Sequence, residues 1–259
     1  MRIALGLEYE GSNFYGWQVQ PGLRTVQACV EAALSSVADQ PVKAYCAGRT
    51  DTGVHACGQV IHIETSVHRE ERAWVFGTNV NLPKDVSVLW AMPVDDGFHA
   101  RFSALGRSYR YLILNRSTRP GLIGPRVTWE CRRLDERPMQ EGANYLLGEH
   151  DFSAYRAQGC QAKNPVRTVR RLEITRRGPL IAIEIEANAF LYHMVRNIVG
   201  VLMAIGRGEA SPQWAEQVLK GRSRTQGGMT APPEGLYLMN IQYPAQYRFP
   251  APEIVLLPL

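Results

Sequence analysis

Gly48-Arg49-Thr50-Asp51-Thr52-Gly53-Val54-His55-Ala56 sets one acid between two glycines, with an arginine two residues before it. Glycine reaches backbone conformations and close approaches that other residues do not, so the pair marks a tight loop that holds Asp51 outward. The nonapeptide alone leaves two readings open. Either Asp51 is a presented, working carboxylate, or it closes an Asx-turn with Arg49 as a surface ion-pair partner. On either side, Val42 to Ala47 and Gly58 to Glu64 read as strands. Further out, Ile3, Leu5, Leu7 and Tyr9 recur at every second position of Arg2 to Glu10, the period of a half-buried strand. Thr25 is placed to cap a helix in which Val26, Cys29, Val30, Ala33, Leu34 and Val37 follow helical spacing, ending before Pro41. A helix from about Arg69 to Val80 and a strand from Val86 to Met92 complete the order β-α-β-β-α-β.

From Phe102 the same order returns. Strands are expected at Tyr109 to Leu114, Val169 to Thr175, Leu180 to Ala187 and Leu236 to Gln242, with helices near Met139 to Leu147, Phe190 to Ile205 and Trp214 to Lys220. This is the split βαβ pattern written twice. The predicted fold class is α/β (α+β): two fused ferredoxin-like domains with mostly antiparallel sheets, meeting at a central cleft. The expected division puts the Asp51 loop in residues 1–103, and a basic domain with a C-terminal tail in 104–259. Element order alone supports the duplication, since no residue-level repeat accompanies it. Pro244 to Leu259 is expected to lie against the surface as an extension.

With 45% apolar and 20% charged residues, the 259-residue chain reads as soluble and globular. Its longest apolar run, Ile198 to Ile205, is far too short to cross a bilayer. The N-terminus lacks a signal-peptide core, so a cytoplasmic location is expected. Five cysteines without a C-x-x-C pair fit reduced thiols. Cys46, His55, Cys57 and His62 are close in sequence but match no familiar ligand spacing, so no metal is expected.

Charge is lopsided along the chain. Residues 1–100 balance at −4 and residues 101–259 at +9. Lys43, Lys84, Lys163 and Lys220 are the only lysines among 29 cations, and arginine is the side chain whose planar fork suits phosphate. Arg101, Arg107, Arg110, Arg116 and Arg119, then Arg167, Arg170 and Arg171, form clusters that point to a polyanion partner.

Asp51-Thr52-Gly53 is also the tripeptide of aspartic proteases, which pair two such loops, and only one copy occurs here. The glycine signatures of dinucleotide and nucleoside triphosphate sites are absent. A non-catalytic RNA-binding module is the runner-up, because ferredoxin-like sheets also carry RNA recognition motifs, but their aromatic signature is missing. Tyr109 and Tyr111 alternate so that both rings face one side, either to stack a base or as an ordinary core pair. Leu191, Met194, Val195, Ile198, Val199 and Leu202 make the apolar face of the long helix, with Arg196 on its flank, either reaching sideways or covering the helix edge. His193 falls on the opposite face and is expected to be solvated.

Seven blocks carry a resemblance. They are Tyr9 to Gln18 with Thr25-Val26-Gln27, Gly48 to Ala56, Phe98 to Ala104, Tyr109-Arg110-Tyr111, Gly148 to Ala154, Phe190 to Gly200 and Ala231 to Leu238. In this order they resemble the tRNA pseudouridine synthase A family over nearly the whole chain. Glu10 stands where the family usually has Asp, and Gly221 where an acid is expected. The tail after about Tyr243 is outside the resemblance.

The resemblance implies conversion of uridine to pseudouridine in the anticodon stem-loop of tRNA, at roughly positions 38 to 40, without metal or organic cofactor, by a homodimer. It further implies that Asp51 is the nucleophile, that Arg196 pairs with it, and that Tyr109 stacks on the uracil and helps move the C5 proton. Arg49 would fill the space left by the flipped base and Leu236 would floor the pocket. The charge balance adds Arg110 and Arg170 as expected phosphate contacts.

Overall fold

A computed structural model of the chain describes residues 1–252. In chain order its elements are β1 (Arg2–Tyr9), α1 (Val26–Ala38), β2 (Ala44–Cys46), β3 (His55–Glu64), α2 (Thr78–Asn81), β4 (Val86–Val94), β5 (Gly106–Asn115), β6 (Thr128–Glu130), α3 (Glu136–Asn144), β7 (Gly148–Asp151), β8 (Val166–Arg177), β9 (Leu180–Ala187), α4 (Met194–Gly206), α5 (Trp214–Gly221) and β10 (Leu236–Gln242). The class is the mixed, mostly antiparallel α+β class expected from the sequence.

The chain forms two compact units, Met1–Leu105 together with the segment from Tyr237, and Gly106–Leu236. In the first, β1 pairs antiparallel with both β3 and β4, and β2 pairs antiparallel with β3, giving the order β4-β1-β3-β2. α1 docks on β2 through Glu31, whose Oε1 accepts the Ala44 N–H at 2.9 Å, and on the residues leading into β2 through Ser35, whose Oγ accepts the Val42 N–H at 2.9 Å. Thr25 occupies the N-cap position of α1, but its side chain makes no cap hydrogen bond; it is fully buried instead. Burial overrides the capping preference there. The second expected helix contains a π-helical turn over Ala73–Gly77 before α2, a local widening that a 3.6-residue pattern does not announce.

Sheet alternation gives this unit two unlike faces. Leu5, Leu7, Ile61 and Ile63 are completely buried in the row facing the helix layer. The other row carries Gly6, with Trp90 and Val60 opposite it. A Cβ at Gly6 would lie 2.1 Å from Trp90 Nε1, so the absence of a side chain lets the indole lie on the backbone. Over this face run Phe98 and the C-terminal segment. Phe249 stacks on Trp90 with centroids 4.9 Å apart, and Tyr243, Tyr247 and Phe249 surround the fully buried Phe98 at 4.9–5.3 Å.

The expected division at 103/104 assigned everything after it to the second domain. In the structure the segment from Tyr237 groups with the first unit instead. β10 pairs in parallel with the start of β3 (Tyr237↔His55, Leu238↔Ala56), and the aromatic contacts to Phe98 and Trp90 extend that attachment. Residues 244–252 lie along the surface as anticipated, with Tyr247 and Phe249 as half-buried anchors. The remainder of the expected tail is outside the described residues.

In the second unit the order is β5-β9-β8-β7, antiparallel throughout, with β6 parallel to β5. Two short strands, β6 and β7, were not anticipated. α3 starts three residues earlier than expected because Asp135 caps it, accepting the Arg137 N–H at 3.0 Å. α4 starts at Met194 and not at Phe190, because His193 takes φ 59°, the left-handed region that no helix passes through.

Candidate active site

In the first unit, β2 ends where Ala47 donates the last ladder bond to Val60 at 2.8 Å. Gly48 then leaves the sheet, and the Gln59 side chain takes over as its partner. Gln59 Oε1 accepts the Gly48 N–H at 3.3 Å and Nε2 donates to the Gly48 carbonyl at 2.6 Å. Nε2 also reaches the Tyr9 hydroxyl at 3.4 Å, which in turn bonds Thr50 Oγ1 at 2.8 Å. Asp51 follows, half-buried, with exposed Arg49 two residues before it. The chain then turns back: Val54 N–H donates to the Asp51 carbonyl at 3.1 Å, and Gly53 sits at φ 78°. A β-turn with glycine at its third position in the positive-φ region has the type II requirement.

One wall around this turn is the segment after β1. Trp17 N–H donates to the Thr50 carbonyl at 3.0 Å, and Gly53 N–H to the Phe14 carbonyl at 3.3 Å. A Cβ at Gly16 would come within 2.6 Å of the Thr50 oxygen. His55, buried, accepts the Gly11 N–H on Nδ1 at 2.9 Å and stacks on Tyr237 at 4.6 Å. The block Tyr9 to Gln18 thus cradles the block Gly48 to Ala56, a relationship that the sequence did not express.

In the second unit, Tyr109, Tyr111 and Ile113 form one row of β5 opposite Ile185, Ile183 and Ile181. Tyr109 is half-buried and meets Phe190 edge-on at 5.0 Å. Tyr111 is fully buried, and its hydroxyl bonds Thr128 Oγ1 at 2.5 Å and donates to the Pro232 carbonyl at 2.7 Å. Burial drives its phenol pKa upward, so it stays a neutral donor. The tyrosine pair therefore divides: Tyr111 is a core brace and Tyr109 the more accessible ring.

Arg196 on α4 is anchored to the same segment. Its Nε donates to the Ala231 carbonyl at 2.8 Å, and the Ala231 N–H donates to the Arg196 carbonyl at 3.0 Å. The segment passes so close to α4 that a Cβ at Gly200 would lie 1.8 Å from the Met229 oxygen. Leu236 closes the segment, buried, with its N–H on the Pro233 carbonyl at 2.9 Å. His193 is not simply solvated. It is half-buried, and its Nε2 lies 3.2 Å from Arg196 Nη1, because the left-handed residue at the helix start folds the ring back toward the first turn.

The basic clusters are largely paired internally. Arg110 points to the opposite side of β5 from Tyr109 and binds Glu184 Oε1 through Nε at 2.9 Å and Nη2 at 2.5 Å. Arg170 lies 3.7 Å from Glu186, and Arg171 lies within 3.0 Å of both Glu173 and Glu184. Arg116 bonds the Thr118 and Arg119 carbonyls. Among the described residues, no group of three or more His, Cys, Asp or Glu side chains is arranged to hold a metal ion.

A match to a family described as tRNA pseudouridine synthase covers residues 7–103 and 143–244. The chain is 60% identical to tRNA pseudouridine synthase A of Nitrosococcus oceani over 96% of each chain. It is 55% identical to tRNA pseudouridine synthase A of Coxiella burnetii, over 96% of this chain and 95% of that one. The corresponding values for tRNA pseudouridine synthase A of Vibrio cholerae are 51%, 96% and 95%.

The chain belongs to the tRNA pseudouridine synthase family.

The family match takes in Arg49, Asp51, Arg170, Arg196 and Leu236, while Tyr109 and Arg110 fall in the interval between its two parts. Among solved structures, one of a Cbf5-Nop10-Gar1 complex overlaps 91% of this chain and 57% of that chain at a TM-score of 0.37 and 12% identity, a likeness too slight to argue from.

Proposed function

We propose that this protein isomerises uridine to pseudouridine in tRNA, in the anticodon stem-loop at roughly positions 38 to 40, with Asp51 as the nucleophile. The observation that carries the assignment is the Asp51 turn: a half-buried carboxylate at a glycine-permitted turn, braced before it by the buried side chains of Gln59 and Tyr9 and after it by backbone hydrogen bonds, in a chain of this family.

The reaction breaks the bond from uracil N1 to ribose, turns the base and joins C5 to the sugar. Asp51 attacks the nucleoside to give a transient covalent adduct, which holds one fragment while the base reorients. Arg196 pairs with the Asp51 carboxylate and aims it, with its own Nε fixed on Ala231. Tyr109 stacks on the uracil and its hydroxyl helps move the C5 proton, while Leu236 supplies an apolar floor. Arg49 enters the space left by the flipped base and offsets unstacking that costs on the order of a few kcal/mol. Arg170 contacts phosphate. Arg110 does so only by exchanging Glu184 for a phosphate oxygen. The working form is a cytoplasmic homodimer that needs no metal or organic cofactor.

Incubation with unmodified tRNA, followed by mapping of pseudouridine, tests the function directly. Modification within positions 38 to 40 is the expected result. Binding that leaves every uridine unchanged would mean a non-catalytic RNA-binding protein.

A further inference from the structure

We propose that Gln59, Tyr9 and Thr50 are positioning residues for Asp51: a buried side-chain relay that sets where the carboxylate stands without touching the substrate. This rests on the reading of Asp51 as nucleophile. Gln59 sits in β3 with no exposure at all, and a polar side chain in such a place is unfavourable unless its hydrogen bonds are satisfied. Its partners serve the Asp51 loop. The amide grips both polar groups of Gly48, three residues before Asp51, and reaches the Tyr9 hydroxyl.

Tyr9 passes the connection on to Thr50, the residue immediately before Asp51. The relay is therefore Gly48 C=O, Gln59 Nε2, Tyr9 hydroxyl and Thr50 Oγ1, with Tyr9 and Thr50 both buried. An apolar residue at position 59 would fill the same space in the strand. What an amide adds there is continuation of the sheet ladder one residue past Ala47, into a loop that has already left the sheet. Tyr9 plays the same part from β1. Two neighbouring strands thus fix the two residues that decide the direction of Asp51. Reaction rates are sensitive to such placement, since a displacement of about 1 Å can cost on the order of 100-fold.

The test compares Tyr9→Phe, Thr50→Val, the double variant and Gln59→Glu with wild type, using full-length protein and unmodified tRNA. Single-turnover rate, tRNA Kd and Tm are measured for each. Tyr9→Phe and Thr50→Val each remove one end of the Tyr9–Thr50 bond while keeping shape, and Tyr9→Phe also removes the acceptor for Gln59 Nε2, so each should lower the rate by about 10-fold or more with Kd within about twofold, Tyr9→Phe being the slower. The double variant should be no slower than the slower single variant, because the shared bond can be lost only once. Gln59→Glu keeps the acceptor for the Gly48 N–H and sets a carboxylate oxygen against the Gly48 carbonyl, so its rate should fall furthest.

Wild-type rates in Tyr9→Phe and Thr50→Val would overturn the proposal. So would rate losses that merely track a falling Tm, or additive losses in the double variant. Asp51→Asn run alongside separates the two claims. If that variant remains active, the nucleophile assignment has failed; if it is inactive while the relay variants are at full rate, only the positioning role has failed.

Discussion

Arg196 and Ala231 hold each other by two hydrogen bonds: the guanidinium Nε donates to the Ala231 carbonyl at 2.8 Å, and the Ala231 N–H donates to the Arg196 carbonyl at 3.0 Å. One bond locks the side chain and the other locks the segment against α4. Lysine keeps the charge and the backbone bond but has no Nε–H part-way along its stem to fix the direction of the cation. Arg196→Lys is therefore expected to retain Tm within a few degrees and to lose about 100-fold in single-turnover rate. A variant close to wild type in rate would mean that charge alone suffices.

The aromatic cover on the first unit gives a stability prediction. Phe249 is half-buried and contacts Trp90 and Phe98. Phe249→Ala should cost about 1–3 kcal/mol, less than a fully buried phenylalanine, and lower Tm by roughly 2–4 °C for each kcal/mol. Activity at 25 °C should persist, because the ring is remote in sequence and contact from the Asp51 turn. Thermal melts and a rate assay on the same preparation check both halves.

A neighbouring pair of histidines, His62 and His99, is expected to make stability fall in mild acid. Burial, then the neighbouring His99, holds the His62 pKa down at about 4 against an ordinary 6.5, and burial lowers His99 as well. The unfolded chain therefore takes up protons as the pH drops below 6.5 that the folded chain accepts only nearer 4, so stability declines across that interval. Glu136, held below 4.5 chiefly by its hydrogen bond to Arg176, contributes only at lower pH. Tm should fall between pH 6.5 and 5. In His62→Asn, whose side-chain oxygen can still accept the Ala100 N–H that His62 Nδ1 accepts at 3.1 Å, the slope should flatten. An unchanged slope would remove His62 as its source.

Charge on the β5-β9-β8 face gives a prediction about RNA. Glu184 engages both Arg110 and Arg171. If these arginines exchange carboxylate for phosphate, Glu184→Gln should tighten tRNA binding several-fold at physiological salt, while Arg170→Ala should reduce the steepness of the salt dependence by about one unit. Filter binding across a salt series measures both. No change in either variant would place the phosphate track elsewhere.

Periodicity was enough to place β1 and the apolar face of α1, but β1 is buried on both faces and not half-buried as its alternation suggests, because Phe98 and the C-terminal segment cover the row that carries Gly6. It failed where a local conformation overrides the period. His193 in the left-handed region delays α4, the π-helical turn interrupts the second helix, and Thr25 is buried instead of capping. Gln59 stayed unnoticed because nothing at position 59 says that its amide meets Gly48. Arg110 looked available because sequence distance hides Glu184, 74 residues away. His193 looked solvated because a helical wheel drawn from Phe190 turns it to the wrong side.

The central claim is that Asp51 supplies the nucleophile, and Asp51→Asn tests it most directly, because it keeps the side-chain shape and removes the charge. The decisive measurement is the single-turnover formation of pseudouridine in unmodified tRNA by Asp51→Asn, with Tm and tRNA Kd taken on the same protein. The account predicts a folded variant that binds tRNA at least as tightly as wild type, since a carboxylate has been withdrawn from a polyanion site, and that forms no pseudouridine. Pseudouridine formation at a rate comparable to wild type by the folded, tRNA-bound variant would contradict it.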